Sequence, residues 1–390
     1  MRLRGMTWDH PRGFEPLAAT AAIWREKTGV EVLWERRSLQ DFEAYPVRDL
    51  ARRYDLVVID HPHVGQLCAE GCLVPLDAPE RAGLLADLER CSVGPSFASY
   101  RWQGRQWALP VDAAAQVLAF RPDLLEAPPA SWDEVFRLAE RGRVLLPMRN
   151  PHALMVFYTL AANLGRTCGS AEGAFVDPEV GAEALETMRR LLRSTGADCF
   201  ALDPIAASEL LASAQSGYAL IPLVYGYCTY ARESFRERRL AFADIPSAGR
   251  GPVGATLGGT GIAVSAFCRE PQAAIVHAFW LASEAVQRGP YAAAGGQPAH
   301  AAAWSDPAVN RPVGGFYTAT RRTLEQAYLR PRHDGYMAFQ AAASARIEAG
   351  LTANERSDVL VAALQSLAAM RFAGSAGGGR DSGIRSRSID

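Results

Sequence analysis

The chain has 390 residues, of which 49% are hydrophobic and 21% charged, with a formal net charge of −1. These values are ordinary for a globular protein with a large core, and the length favours two lobes. The balance of 41 basic against 42 acidic residues excludes a general attraction to nucleic acid or to an anionic membrane surface. The seven cysteines contain no CxxC pair, so neither a disulfide framework nor a zinc knuckle is indicated.

Short apolar runs alternate with segments of helical period in the first part of the chain, which predicts an α/β fold. Strands are predicted at residues 3–8, 30–36 and 54–60, and helices at residues 14–28 and 41–53. Residues 57–59 show no polar alternation, as expected for a parallel strand covered on both faces. The polar turn at residues 8–13 therefore follows the first strand, at the sheet edge where ligands bind in open α/β sheets.

The later chain continues with strands and helices and then becomes mostly helical. A hairpin is predicted around Gly104, an extended segment at 111–120, strands at 144–146, 218–224 and 240–245, and helices at 131–142, 152–164, 178–195 and 204–217. The helix at 131–142 begins with the capping-box sequence Ser131-Trp-Asp-Glu134. The adjacent glycines Gly258 and Gly259 precede another apolar strand, and residues 373–390, rich in Gly, Ser and Arg, are predicted to be disordered.

Polar side chains follow two strands that are expected to be neighbours in one sheet. Those after the first strand are Trp8, Asp9, His10 and Arg12, and those after the third are Asp60, His61 and His63. Two such loops converge at one sheet edge, so we expect them to line a ligand cleft. Trp8 would provide a flat apolar surface, and the charged groups would bind hydroxyls. Alternatively, Trp8 is a core residue, Asp9 or Asp60 caps a helix, and the histidines are structural.

Further candidate binding residues are expected on the opposite side of the cleft and at the glycine-rich turns. They are Asp112, Arg149, Asn150, His152, Tyr225, Tyr227, Gly259, Thr260 and Gln297, with Arg330, Arg332 and Tyr336 as weaker candidates. Loops with Gly or Pro at the bend present side chains to a cleft. Tyr225 and Tyr227 are equally compatible with buried core aromatics.

Five phrases occur in an order that resembles one known family. They are YDLVVIDH at 54–61, LVPLD at 73–77, WALPVD at 107–112, LGGTGIAVS at 257–265 and GGQP at 295–298, followed by Trp304. The set is similar to the extracellular (periplasmic) solute-binding proteins of ABC importers, specifically the sugar-binding-like group (family 1). No single phrase decides the resemblance, which depends on their order over most of the chain.

The resemblance implies a two-lobed α/β fold of the periplasmic-binding-protein type (type II). It implies one lobe from residues 1–110 and 262–312, a second from 114–258 and 313–372, and crossings near 110–114, 258–261 and 310–316. The protein would be a monomer that closes by hinge motion on a small-molecule solute, with a carbohydrate or polyol favoured. Its partners would be ABC transporter permease subunits, and no resident cofactor is expected.

The same resemblance implies a periplasmic location. However, Trp8, Asp9 and His10 interrupt the apolar stretch that a leader peptide needs, and no lipidated N-terminal cysteine is present. A leader has therefore been removed, or the protein is cytoplasmic if Met1 is the native start.

Two rival functions remain open at this point. His10, Asp60, His63, Tyr225 and Tyr227 imitate the donor types of ferric-ion binders with this two-lobed fold, although Gly226 separates the tyrosines. A cytoplasmic enzyme or sensor is the other alternative. It is disfavoured because the GxSxG, HExxH and GxxxxGK[ST] motifs are all missing, which leaves Cys228 as the candidate nucleophile.

Overall fold

The computed structural model of the protein describes residues 1–38, 47–169, 175–195 and 197–372. The predicted helix at 41–53 is described only as Val47–Arg53, and the predicted disordered segment 373–390 lies outside the described residues. The strands are β1 (Arg2–Trp8), β2 (Glu31–Arg37), β3 (Leu56–Asp60), β4 (Arg101–Trp102), β5 (Arg105–Gln106), β6 (Ala108–Asp112), β7 (Gln116–Phe120), β8 (Leu220–Tyr225), β9 (Ala241–Ala243) and β10 (Thr260–Val264).

Helices cover the sheets and form most of the last third of the chain. In the described part of the chain, the α-helices longer than three residues are Pro11–Thr28, Val47–Arg53, Val64–Ala69, Ala82–Cys91, Trp132–Ala139, His152–Asn163, Pro178–Thr195, Pro204–Leu211, Pro271–Ala282, Ala301–Ser305, Pro307–Asn310, Phe316–Glu325, Tyr336–Thr352 and Ser357–Phe372. Ser131 forms the predicted capping box with Glu134. Among the described helices, none has the length and apolar character required to span a bilayer.

The first sheet has five strands in the order β2-β1-β3-β10-β6. β1 pairs in parallel with both β2 and β3, which confirms the prediction that the strands at 3–8 and 54–60 belong to one sheet. β10 runs antiparallel between β3 and β6. Val57 and Ile262 are fully buried in the core of this lobe, as expected for central strands covered on both faces.

The second sheet consists of β8, β7 and β9, and its pairs are antiparallel. This differs from the predicted second βα series, because residues 144–146 contribute only an isolated bridge from Val144 to Leu220. A second hydrophobic core surrounds this sheet and includes the fully buried helix His152–Asn163. Apolar side chains on every face of that helix explain its central position.

Three segments join the two cores. Residues 113–115 connect β6 to β7, and Gly258 and Gly259 lie between the second core and β10. A Cβ at Gly259 would lie 2.4 Å from the Asp112 carbonyl oxygen, and its φ is +82°, so glycine is required for the two crossings to pack together. Both crossings agree with the expected positions.

The chain passes from the first core to the second for the last time between residues 291 and 299, which is before the crossing expected at 310–316. Tyr291 belongs to the first core, whereas Ala299 and Trp304 already belong to the second. The physical reason is an aromatic cluster in which Trp304 packs against Tyr317, with ring centroids 5.2 Å apart. The exact assignment of whole segments to lobes stays a prediction.

Candidate functional site

A cavity lies where the two cores meet, beside the first two crossings. It contains about 490 Å³ of space between protein atoms, a figure that includes the solvent at its open mouth. Its walls come from both sheets, from the crossings and from the segment before the helix Tyr336–Thr352. The lining residues are Trp8, Arg12, Asp60, Ala114, His152, Pro204, Tyr225, Tyr227, Gly258, Gly259, Thr260 and Arg330.

Arg12, in the first turn of the helix Pro11–Thr28, links the two lobes. Its guanidinium forms a bidentate ion pair with Asp112, in which Nε donates to Oδ2 at 2.8 Å and Nη2 donates to Oδ1. Its Nη1 donates to the Gly226 carbonyl oxygen in the second lobe at 2.9 Å. Burial alone would lower the pKa of Arg12, but the adjacent carboxylate of Asp112 raises it above its ordinary value. The guanidinium is therefore charged and held in one position.

Asp60 and Arg330 form a second charged pair in the cavity wall. The Arg330 Nη2 atom lies 3.6 Å from Asp60 Oδ2, and the Arg330 Nη1 atom donates to Gln340 Oε1 at 3.1 Å. Burial raises the pKa of Asp60, and the guanidinium of Arg330 opposes this shift by favouring the carboxylate. Asp60 ends β3, so the predicted position at the sheet edge is the one observed.

Aromatic rings form the apolar walls of the cavity. Tyr225 is half-buried, and its ring lies against the backbone of Gly258, where a Cβ would approach the ring to 2.7 Å. Tyr227 is buried beneath the Arg12 guanidinium, which lies 4.5 Å from its ring centroid. Trp8 also lines the cavity but is only 3% exposed and belongs to the first core. Tyr225 is thus more accessible than Trp8 as a flat surface for a ligand.

The structure places several of the predicted first-lobe residues outside the cavity. Asp9 is exposed and forms an ion pair with Arg36 at 3.3 Å. His10 caps the following helix, because its Nδ1 accepts a hydrogen bond from the Arg12 backbone N–H at 3.0 Å. His61 and His63 are buried in the short turn after β3. These four residues are therefore not part of the cavity wall, and for His10 the structural alternative holds.

Among the residues predicted from the second lobe and the later loops, some line the cavity and others lie outside it. His152 lines the cavity, whereas Arg149 pairs with Asp203 at 3.6 Å and the Asn150 amide donates to the Ala341 carbonyl at 3.0 Å. Asp112 lies behind Arg12, outside the lining.

The remaining candidates outside the lining have structural contacts. The Gln297 amide donates to the Ala113 carbonyl at 2.8 Å and accepts from the Cys228 backbone N–H at 3.1 Å, which ties crossings together. Arg332 donates to the Ala98 carbonyl at 2.8 Å, and Tyr336 is buried.

Three lining residues were not predicted as ligand contacts. Ala114 and Gly258 were expected only as crossing positions, and Pro204 was not singled out. Pro204 follows Asp203, which caps the helix Pro204–Leu211, and this Asp-Pro helix start is the signal that a sequence reader could use. A small or cyclic side chain gives no chemical indication of ligand binding.

The rival sites do not assemble in the described part of the chain. No group of three or more His, Cys, Asp or Glu side chains there is arranged to hold a metal ion. In particular, His10 caps a helix through its Nδ1 atom and does not line the cavity with Asp60, Tyr225 and Tyr227. Cys228 is fully buried, and burial raises the pKa of its thiol to about 11, which is unsuitable for a nucleophile.

Solved structures with the same fold cover nearly the whole chain. Maltose-bound MalE3 of T. maritima has 18% identity and a TM-score of 0.80, over 94% of this chain and 98% of that chain. An ABC transporter solute-binding protein of Agrobacterium radiobacter K84, in complex with ribitol, has 20% identity and a TM-score of 0.76, over 94% and 97%. A solute-binding protein of Thermotoga lettingae TMO, bound to α-D-tagatose, has 15% identity and a TM-score of 0.77, over 94% and 98%. These likenesses establish the two-lobed fold.

The family itself is identified by sequence. The family model described as bacterial extracellular solute-binding protein matches residues 21–313, which is well over half of the chain. This segment contains the ends of β3 and β6, the crossings at 113–115 and 258–259, and the tyrosines of the cavity wall. The chain therefore belongs to the bacterial extracellular solute-binding proteins.

Proposed function

We propose that the protein binds a carbohydrate or polyol in the cavity between its lobes and presents it to the permease subunits of an ABC importer from the periplasmic side. The observation that carries this proposal is the composition of the cavity. One wall presents the half-buried ring of Tyr225, and the others present the charged pairs of Arg12 and Arg330. A polyol uses both, because its C–H face packs on an aromatic ring and its hydroxyls bind charged groups.

The fold and family support the same class of ligand. The similar proteins named above were solved with maltose, ribitol and tagatose, all of which are polyhydroxylated. A ligand screen tests the proposal directly. Thermal stabilisation by sugars or polyols, with none by ferric or divalent ions, is the expected result, since only ligands of the native state raise the melting temperature.

Tyr225→Ala is expected to weaken the binding of a responding sugar by about thirtyfold, because it removes an accessible aromatic surface from the wall of the site. Stability should change little, since the ring is half-buried. Calorimetric titration beside a melting curve measures both quantities. Tyr218→Ala is the matched control, because Tyr218 is half-buried against the same core outside the cavity. Equal affinities for the two variants would remove Tyr225 from the site.

Binding is also expected to bring the lobes together. The crossings at 113–115 and 258–259 are the places where backbone rotation can move one core relative to the other. A saturating sugar from the screen should therefore reduce the radius of gyration measured by X-ray scattering. The same sugar concentration should leave Tyr225→Ala unchanged. Superimposable curves for the wild-type protein with and without bound sugar would contradict hinge closure.

A further inference from the structure

Each guanidinium in the cavity wall has its own carboxylate. Arg12 is bound by Asp112, and Arg330 is paired with Asp60. Both arginine side chains are only 4% exposed. A charged ligand would lose its hydration on entering such a site without gaining a free counter-charge. The wall is therefore suited to a ligand without net charge.

Two neutral polar groups in the same wall are buried and make no hydrogen bond within the described structure. They are the Thr260 hydroxyl from the first sheet and the His152 Nδ1 atom from the second lobe. Burial lowers the pKa of His152 to about 4, so its ring is neutral at pH 7. A buried polar atom without a partner costs free energy, and a ligand hydroxyl can supply the missing partner for either group.

We propose that the ligand is uncharged, that Thr260 and His152 bind its hydroxyls from opposite lobes, and that Asp60 determines this charge preference by neutralising Arg330. The inference rests on the proposed function and narrows its ligand class. Thr260 and Asp60 are register partners on β10 and β3, so the hydroxyl and the carboxylate lie side by side in the wall. Asp60 is thus a specificity-determining residue.

The charge preference depends on one carboxylate. Asp60→Asn keeps the size of the side chain and removes the negative charge of the carboxylate that is paired with Arg330. A carboxylate on the ligand can then take the place of the Asp60 carboxylate beside the guanidinium. The variant is expected to prefer sugar acids over the corresponding neutral sugars.

Calorimetric titration of matched neutral and anionic probes tests the inference. The pairs are ribitol with ribonate, glucose with glucuronate, and maltose with maltobionate. The wild-type protein should bind the neutral member of at least one pair about tenfold more tightly than its acid. Asp60→Asn should reverse this preference. Asp9→Asn, the same change at an exposed carboxylate outside the cavity, should keep the wild-type preference.

Thr260→Val provides a second measurement, because it removes the hydroxyl without changing the shape. Affinity for the neutral probe should fall by about tenfold, while the melting temperature without ligand should stay equal or rise. Tighter binding of an acid by the wild-type protein, or an unchanged preference in Asp60→Asn, would overturn the inference and leave the proposed carbohydrate function standing. If none of the six probes binds, the proposed function fails and the inference with it.

Discussion

Arg12→Met is expected to lower the free energy of unfolding by about 3–5 kcal/mol, because it leaves the Asp112 carboxylate buried without its cation. Asp112 is 1% exposed, and both of its carboxylate oxygens accept hydrogen bonds from Arg12. The Gly226 carbonyl of the second lobe would also lose its donor. Urea unfolding followed by tryptophan fluorescence measures the loss.

Two further variants separate the two causes of this loss of stability, which are the unpaired buried charge and the missing side-chain packing. Arg12→Met combined with Asp112→Asn removes both charges, so part of the loss should be recovered relative to the single variant. Arg36→Met breaks the exposed pair with Asp9 and should cost about 1 kcal/mol or less. An Arg12→Met variant no less stable than Arg36→Met would show that the inter-lobe ion pair does not stabilise the fold.

Acidification from pH 7 to pH 5 is expected to destabilise the protein strongly. Burial lowers the pKa of His10 and His277 to about 3 and of His63 and His152 to about 4. In the unfolded chain these rings titrate near 6.5, so the unfolded state binds more protons below that pH. The contribution of these neutral rings to the free energy of unfolding is therefore fully present above pH 6.5, and it decreases as the pH falls below that value. Each ring contributes a loss of about 2 kcal/mol at pH 5.

His277 allows this effect to be measured one ring at a time. It is buried between Trp24 and Trp280, and burial is the cause of its shift. Melting curves between pH 5 and 7.5 should show a weaker pH dependence for His277→Phe than for the wild-type protein. Val276→Ala, on the exposed face of the same helix, should keep the full dependence. Parallel curves for the wild-type protein and His277→Phe would refute the linkage.

Sequence predicted those elements whose structure depends mainly on residues close together in the chain. The buried run at 57–59 predicted a central strand, and Ser131 with Glu134 predicted a helix start; both are observed. The antiparallel arrangement of β7, β8 and β9 was not predictable in the same way. Those pairings join residues about a hundred positions apart, and an apolar run of five or six residues is compatible with either direction.

Residue type was also insufficient to identify which candidate residues line the cavity. Residue type alone indicated Asp60, His152 and Tyr225, which line the cavity, because polar and aromatic groups after strands commonly face ligands. It could not distinguish Arg12, which lines the cavity, from His10, whose ring turns back to cap its own helix. That choice depends on Asp112, one hundred positions away, which holds the guanidinium between the lobes.

The contacts of Gln297 have a mechanical consequence. Its backbone carbonyl accepts from the Ala113 N–H at 3.0 Å, while its side chain bonds Ala113 and Cys228. The third connection is thereby fastened to the first, which itself packs against the second at Gly259. Connections tied side by side act as one rotation axis, so twisting or sliding of one lobe on the other would break these hydrogen bonds. Rotation that keeps these bonds is therefore the expected motion, and one distance between two labels, one on each lobe, should follow it.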